Sequence, residues 1–273
     1  KNGTSFIVNN LGVLFSSMGI NTANLDTTQN RNSYYIFTKN EESLRKIAYD
    51  SIPKLAQGRS EGIQVNKNLT VYTALPGDEN PAFNIQEALN TLANTYSLVL
   101  IDCDFYTPIE YFASSQEIYL IQSMDVLTIQ PLTSFLRDLK NRGVLAQEKL
   151  KVIINKAAKV RGLSEKVLVG GMAFYNDPSM SFMTELFKKD MVRITTIPFD
   201  LSVYEAYLET LVTCELSINR YPKTFMNSLK ELAGVVYPLQ NKQKYQPRQI
   251  NYENRNNFSN DMNSTLERMK KRY

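Results

Sequence analysis

A short turn near the start of the chain combines residue types that could bind a phosphate group. It consists of Gly3, Thr4 and Ser5, and it leads into apolar side chains at helical spacing, namely Ile7, Leu11, Leu14 and Met18. The spacing predicts a helix that Gly19 ends, with the hydroxyls of Thr4 and Ser5 capping its first free amides. A helix start attracts anions because its unpaired amides and its dipole both point toward the ligand. The turn is therefore a candidate phosphate site, although a simple turn before a core helix has the same sequence features.

The turn matches only part of the phosphate-binding motif G-x-x-x-x-G-K-[ST]. Gly3 and Ser5 fill the last glycine and the hydroxyl position, but Thr4 stands where the motif has lysine. Because threonine carries no charge, Thr4 cannot hold the outer phosphates of a nucleotide as a lysine does. The turn alone is a weak indication of phosphate binding, so its interpretation depends on the rest of the chain.

Polar residues follow several predicted strands at the point where each strand ends. Asp26 and Asp102 each close a strand, and the strand before Asp102 is the continuous apolar run 97–102, which is typical of a strand covered on both faces. Asn155 and Pro198 stand at the ends of two later strands. Ligands of parallel α/β sheets bind at the carboxyl ends of the strands, so we expect these four residues near the ligand site.

Strands and helices alternate along the chain, which indicates an α/β fold. The pattern predicts a doubly wound, mostly parallel sheet with helices on both faces. The predicted strands span residues 22–26, 69–75, 97–102, 117–122, 150–155 and 192–197. The predicted helices after the first span residues 41–52, 132–142, 183–189, 201–217 and 223–237, with a further helix starting at Asn84. Pro53 is expected to end the second helix, and the polar segment 58–68 is expected to be a loop.

The composition excludes several classes of active site. The 273 residues contain no histidine, so this chain alone cannot form a Ser-His-Asp or Cys-His nucleophile or a histidine-ligated zinc site. Cys103 and Cys214 lie far apart in the sequence and suit reduced core residues of a cytoplasmic protein. No apolar run reaches the length of about 18 residues that a membrane-spanning helix needs. Any chemistry must therefore use carboxylates, lysines, hydroxyls or backbone amides.

Positive charge is concentrated at the C-terminal end, where we expect a separate tail. Residues 240–273 carry eight Lys or Arg and three acids, a net charge of +5, whereas the whole chain has +4 and residues 1–239 therefore have −1. Residues 240–260 are polar, with almost no aliphatic side chains, and are predicted to be disordered. Residues 261–273 have a faint helical spacing of apolar side chains. The tail could lie on an anionic membrane, bind nucleic acid, stay solvated or fold on a protein partner.

Five motifs in sequence resemble those of the MinD/ParA family of P-loop ATPases, which have a deviant Walker A loop. They lie in residues 3–12, 25–28, 98–102 with Pro108, 152–156 and 197–206. The first motif, with its G-T-S spelling and no lysine, resembles the branch of the family that serves Tad-type pilus assembly. The third resembles a Walker B strand, and the last resembles the family's I-P-x-D…V-x-E-A segment near the base. The resemblance covers about residues 1–239.

The resemblance implies an ATP site and a Mg²⁺ site. It implies that the nucleotide is bound by Gly3, Thr4, Ser5, Asn155 and Pro198. Of these, Asn155 corresponds to the residue that reads the adenine. The metal ligands that it implies are Ser5, Asp26 and Asp102. It assigns no catalytic residue in this chain.

The chain departs from the family pattern at the positions that matter for hydrolysis. Thr4 replaces the loop lysine, and Thr28 replaces the second acid of the D-x-D motif, which in the family helps to position the attacking water. The family's signature lysine and its whole first strand would fall before Lys1. We therefore expect a fragment or a trimmed N-terminus, because the loss of a central strand would leave ladder groups on both neighbouring strands unpaired.

The resemblance and the departures together predict a positioning or assembly factor with weak or no ATP hydrolysis. Losing one electrostatic stabiliser typically costs about a hundredfold to a thousandfold in rate. Such a protein is expected to form a homodimer and to recruit a protein partner in an assembly or partition system, in the cytoplasm or at the membrane. Two alternatives stay open, namely a competent ATPase that uses residues upstream of Lys1 and a nucleotide-free scaffold.

Overall fold

Strands and helices alternate along the computed structural model, which describes residues 2–39, 41–77, 83–145, 149–165, 167–168 and 193–238. The strands in these residues are β1 (Thr22–Asp26), β2 (Ile63–Asn66), β3 (Leu69–Tyr72), β4 (Leu98–Asp102), β5 (Ile118–Gln122), β6 (Leu150–Ala157) and β7 (Ile194–Pro198). The helices are α1 (Thr4–Ser17), α2 (Asn32–Phe37), α3 (Glu42–Leu55), α4 (Ile85–Thr95), α5 (Ile109–Ser114), α6 (Ile129–Asn141), α7 (Leu201–Thr213) and α8 (Lys223–Val236). None of these helices is long and apolar enough to cross a membrane. The predicted helix 183–189 and the tail 240–273 lie outside the described residues.

The strands form two sheets in which nearly all neighbours run parallel. The strand order is β2-β3-β1-β4 in the first sheet and β5-β6-β7 in the second. The exception is β2, which runs antiparallel to β3. The register places Asp26 of β1 directly beside Asp102 of β4. Within the described ranges, β4 and β5 each have a strand neighbour on one side only.

Helices cover both faces of the sheets. On one face, Leu98 and Leu100 of β4 and Ile121 of β5 pack into a core cluster with α1 and α8. On the opposite face of β4, Val99 and Ile101 pack into a second cluster with side chains of α3 and α4. Helix α6 covers the corresponding face of the second sheet. The predicted doubly wound α/β class is therefore confirmed, and the cluster under α1 joins the two sheets.

Helix α1 lies on the sheets through the apolar face that its sequence spacing predicts. Ile7 and Leu11 are buried in the cluster that joins the two sheets. Gly12 lies so close to β1 that a Cβ there would be 2.4 Å from Nδ2 of Asn24. Gly19 follows the helix with a φ of +83°, a left-handed conformation that glycine adopts without strain. The helix therefore ends as predicted and packs closely on β1 because Gly12 has no side chain.

Two of the sequence-based predictions for this part of the chain are wrong. Helix α3 does not end before Pro53 but continues to Leu55. Pro53 removes the amide that would donate to the carbonyl of Tyr49, but it lies in the last turn, so the helix loses one hydrogen bond close to the point where it ends. The segment 58–68, expected to be a loop, contains β2. Of its side chains only Ile63 is buried, and such an exposed strand lacks the apolar alternation by which strands are recognised.

Candidate functional site

The N-terminus of α1 has no side-chain cap among the described residues. Gly3 is the cap residue, with a left-handed φ of 88° and ψ of 33°. The first helical hydrogen bond runs from the amide of Ile7 to the carbonyl of Gly3, at 3.1 Å. The amides before it have no partner in the described chain, so the predicted capping by the hydroxyls of Thr4 and Ser5 is wrong. The hydroxyl of Ser5 instead accepts a hydrogen bond from Nδ2 of Asn32, at 2.9 Å.

The end of β6 packs directly against the turn before α1. Nδ2 of Asn155 donates a hydrogen bond to the carbonyl of Asn2, at 2.8 Å. A Cβ on Gly3 would lie 2.5 Å from the same nitrogen and 3.7 Å from Cε of Lys156. The left-handed φ and this close approach both require glycine at position 3. The structure thus brings Gly3 and Asn155 together, whereas the adenine-reading role of Asn155 stays a prediction.

The end of β7 lies beside the end of β6. The register pairs Pro198 with Ala157, and the amide of Phe199 donates to the carbonyl of Ala157 at 2.8 Å. Pro198 is therefore at the same edge of the sheets as Asn155, as expected for the carboxyl ends of parallel strands. Its contact with a nucleotide stays a prediction.

Asp102 is a buried carboxylate that lacks a compensating partner. Its exposed fraction is 1%, and neither Oδ1 nor Oδ2 accepts a hydrogen bond of normal geometry from the described residues. Burial raises the pKa of Asp102 well above its usual range, and the negative charge of the adjacent Asp26 adds to this rise. The hydroxyl of Ser5 offsets part of the rise. A carboxylate of this kind gains from a proton or a metal ion nearby.

Asp26 is as buried as Asp102, but both of its carboxylate oxygens accept hydrogen bonds. Oδ1 accepts hydrogen bonds from the amide of Thr28 at 3.0 Å and from its hydroxyl at 2.6 Å. Oδ2 accepts from the amide of Ser33 at 2.9 Å, at the start of α2. The carboxylate therefore holds the turn between β1 and α2, and a role in the metal shell stays a prediction. Thr28 is therefore a donor to Asp26 through both its amide and its hydroxyl.

We predict that placing an acid at position 28 destabilises the protein. Thr28→Asp removes the hydroxyl donor and places a second negative charge beside buried Asp26, at an expected cost of about 1–3 kcal/mol in the free energy of unfolding. Urea denaturation measures this cost, and Thr28→Ser, which keeps the hydroxyl, serves as the matched control. A Thr28→Asp protein as stable as the serine variant would show that the bond to Asp26 contributes nothing.

Two residues that contact the turn were not identified from the sequence. Oδ1 of Asn2 accepts hydrogen bonds from the hydroxyls of Ser123, at 2.9 Å, and Thr128, at 3.1 Å. Asn32 reaches Ser5 from α2. Asparagines in polar segments have no distinguishing pattern, although the polar residue that ends β5, Gln122, could have indicated a turn contact there.

The residues present fit a magnesium ion better than a metal held entirely by protein. The described residues contain no group of three or more Cys, Asp or Glu side chains that could hold a metal. Mg²⁺ is usually bound by one or two protein oxygens, phosphate oxygens and water. The hydroxyl of Ser5 and the unpaired oxygens of Asp102 suit this arrangement.

Comparison with solved structures identifies the fold. The MinC:MinD cell division complex of Aquifex aeolicus matches with a TM-score of 0.56 and 15% identity, over 90% of this chain and 96% of that chain. An ATP complex of a Cyanothece McdA variant matches with a TM-score of 0.59 and 16% identity, over 90% and 95% of the two chains. A putative plasmid partition protein of Borrelia burgdorferi, bound to AMPPNP, matches with a TM-score of 0.57 and 14% identity, over 86% and 93%.

The sequence itself gives no such match. No protein-family model and no curated protein sequence matches the chain. At identities of 14–16%, the solved structures establish the architecture rather than the activity. The parallel strands and the helices on both faces agree with this likeness. The chain therefore has the fold of the MinD/ParA ATPases, as the five sequence motifs predicted.

Proposed function

We propose that this chain binds ATP with Mg²⁺ at the N-terminus of α1 and works as a MinD/ParA-like positioning or assembly factor with weak or no hydrolysis. The observation that carries the proposal is Asp102, a buried carboxylate with two unpaired oxygens, close to Ser5 and to the uncapped start of a helix. A buried charge of this kind is costly unless a cation accompanies it. Free amides on α1 suit the phosphate oxygens that would share this cation.

Each residue of the site has a distinct part in this proposal. Gly3 lets the phosphate approach the backbone because it has no side chain, and Asn155 fixes the turn through the carbonyl of Asn2. Ser5 and Asp102 would hold Mg²⁺, which offsets negative charge on the phosphates when it is bound. Pro198 lies at the same sheet edge, where it would contact the base.

We expect weak hydrolysis because two side chains lack the groups that the reaction needs. Thr4 brings no charge to the phosphates, and Thr28 donates to Asp26 instead of offering a carboxylate to a water molecule. Phosphoryl transfer depends on positioning and charge stabilisation, so both losses slow the reaction. Binding without turnover suits a factor that holds a homodimer or a protein partner in place. The tail 240–273, with its net positive charge, is the segment we assign to an anionic membrane or nucleic acid.

The test is ATP binding and turnover by the full chain, with and without Mg²⁺. We expect the protein to bind Mg-ATP and to hydrolyse it slowly. Thr4→Lys, which restores the motif lysine, is expected to raise turnover by about a hundredfold, because one electrostatic stabiliser is typically worth that factor or more. Thr4→Val is the control of similar size. Rapid turnover by the unmodified chain would support the competent-ATPase alternative, and no binding at all would support a scaffold.

A further inference from the structure

Lys156 has an unusual backbone conformation that directs its side chain toward the turn before α1. Its φ is 56°, in the left-handed region that non-glycine residues rarely adopt. The register between β6 and β7 also shifts between Ile154 and Ala157, so this stretch is irregular on the strand. A left-handed conformation is unfavourable for a residue with a side chain unless the surroundings impose it. Such local strain is often found where a side chain must be positioned precisely.

Because of this conformation, the consecutive residues Asn155 and Lys156 both reach the turn before α1. Asn155 is buried and bonds to the carbonyl of Asn2, while Cε of Lys156 lies 3.7 Å from the position that a Cβ on Gly3 would take. Lys156 itself is exposed, and the ion pairs among the described residues do not include it. Its ammonium group, one bond beyond Cε, is therefore next to the start of α1 and available to an anion.

We propose that Lys156 supplies the positive charge that Thr4 cannot, by contacting the phosphates of a nucleotide bound at the start of α1. This inference rests on the proposed function of the same site. It places a cation from β6 beside the free amides of α1, in addition to the metal ligands Ser5 and Asp102. The site then has all three parts that hold a nucleoside triphosphate, namely amides, a metal site and a cation.

Another cation near the site is already engaged. Nη1 of Arg31 donates to the carbonyl of Asp26 at 2.5 Å, so this guanidinium is held at the end of β1. Lys1 lies outside the described residues, so a Lys1→Ala variant measures its contribution to nucleotide affinity separately. Lys156 is thus the described lysine whose side chain reaches the turn.

The experiment compares nucleotide affinities of full-length variants by titration calorimetry. Lys156→Ala is expected to weaken Mg-ATP binding by about 10- to 100-fold, as expected for the loss of a charged hydrogen bond, and to leave adenosine binding unchanged. Lys156→Arg is expected to keep most of the affinity. Adding Thr4→Lys to Lys156→Ala is expected to restore it, because the charge returns from the motif position. Lys159→Ala, an exposed lysine three residues away, and Lys1→Ala are the matched controls.

The outcomes separate this inference from the proposed function. If the unmodified chain binds Mg-ATP and Lys156→Ala binds it equally well, Lys156 is not the cation and only this inference fails. Equal losses for ATP and adenosine would mean that the substitution disturbs the site as a whole, and would overturn the inference too. If the unmodified chain binds no ATP, the proposed function and this inference fail together. Thermal unfolding of each variant verifies that the fold is kept.

Discussion

Replacing Asp102 with asparagine is expected to stabilise the metal-free protein while removing its response to Mg-ATP. The asparagine side chain has nearly the same shape but no charge, so the buried, unpaired carboxylate and its repulsion with Asp26 both disappear. An unsatisfied buried polar group costs about 1–3 kcal/mol and a charged one costs more, so the asparagine keeps the smaller cost and loses the excess that the charge adds. We therefore expect the free energy of unfolding at pH 7, without divalent ions, to rise by about 1–3 kcal/mol.

The pH dependence of stability gives an independent measure of the same carboxylate. Because the pKa of Asp102 is raised in the folded state, the folded chain binds this proton more tightly than the unfolded chain, whose carboxyl has a pKa of about 4. The contribution of Asp102 to stability is therefore full below about pH 4 and is lost as the pH rises through the raised pKa. Asp102→Asn is expected to lack this loss. The difference between the two proteins should thus grow from pH 4 toward neutrality.

Denaturant unfolding at several pH values, with and without Mg-ATP, measures both effects. Mg-ATP is expected to stabilise the unmodified protein and to have little effect on Asp102→Asn. Asp138→Asn is the control, because Asp138 lies on the surface of α6 in an exposed pair with Arg142. A decrease in the stability of metal-free Asp102→Asn would mean that the carboxylate has a partner that asparagine cannot replace.

Adding a methyl group at Gly3 is expected to abolish nucleotide binding. Gly3→Ala forces an L-residue into φ 88° and places a Cβ 2.5 Å from Nδ2 of Asn155. The conformational part of the cost is about 1–2 kcal/mol. The clash must be relieved by moving Asn155 or the turn, which breaks the bond to Asn2 and displaces the amides at the start of α1. We expect the loss of stability to exceed the conformational cost alone.

Gly19 offers a matched control for this substitution. Its φ of +83° is nearly the same, but a Cβ there would meet nothing within 4 Å. Gly19→Ala therefore measures the conformational cost without the clash, and its nucleotide affinity should equal that of the unmodified protein. Calorimetric unfolding and ATP titration of both variants give the comparison. Equal stability losses and equal affinities for the two variants would show that the contact with Asn155 does not constrain the turn.

The fold was predictable where the sequence carries local signals. Strand β1 has the predicted bounds, and β4 agrees with its prediction to within one residue. Each strand is closed by an acid; β1 is buried throughout, whereas the apolar side chains of β4 are half-buried. Helix α4 begins as expected, since Asn84 accepts a hydrogen bond from the amide of Glu87. The exposed strand β2 was missed because an edge strand with one buried side chain resembles a loop.

The candidate site was predictable only in outline. The ends of parallel strands indicated Asp102 and Asn155, because chain topology alone brings such ends to one edge. The role of Thr28 depends on its hydroxyl being directed at Asp26, and the role of Lys156 depends on a single backbone angle and on its approach to Gly3, which is far away in sequence. The sequence shows Thr28 only as a departure from the second acid of the D-x-D motif, whereas in the structure its hydroxyl donates a hydrogen bond to Asp26. No local pattern could have distinguished Lys156 from any other lysine after a strand.

The division of the strands into two sheets has a mechanical consequence for this site. Asp26 and Asp102 belong to the four-stranded sheet, whereas Asn155 and Pro198 belong to the three-stranded sheet. Across the described residues the two are joined by side chains under α1 and not by a backbone ladder, and packed side chains permit small shear movements. A ligand that contacted both sets of residues would connect the two sheets and would oppose such a movement.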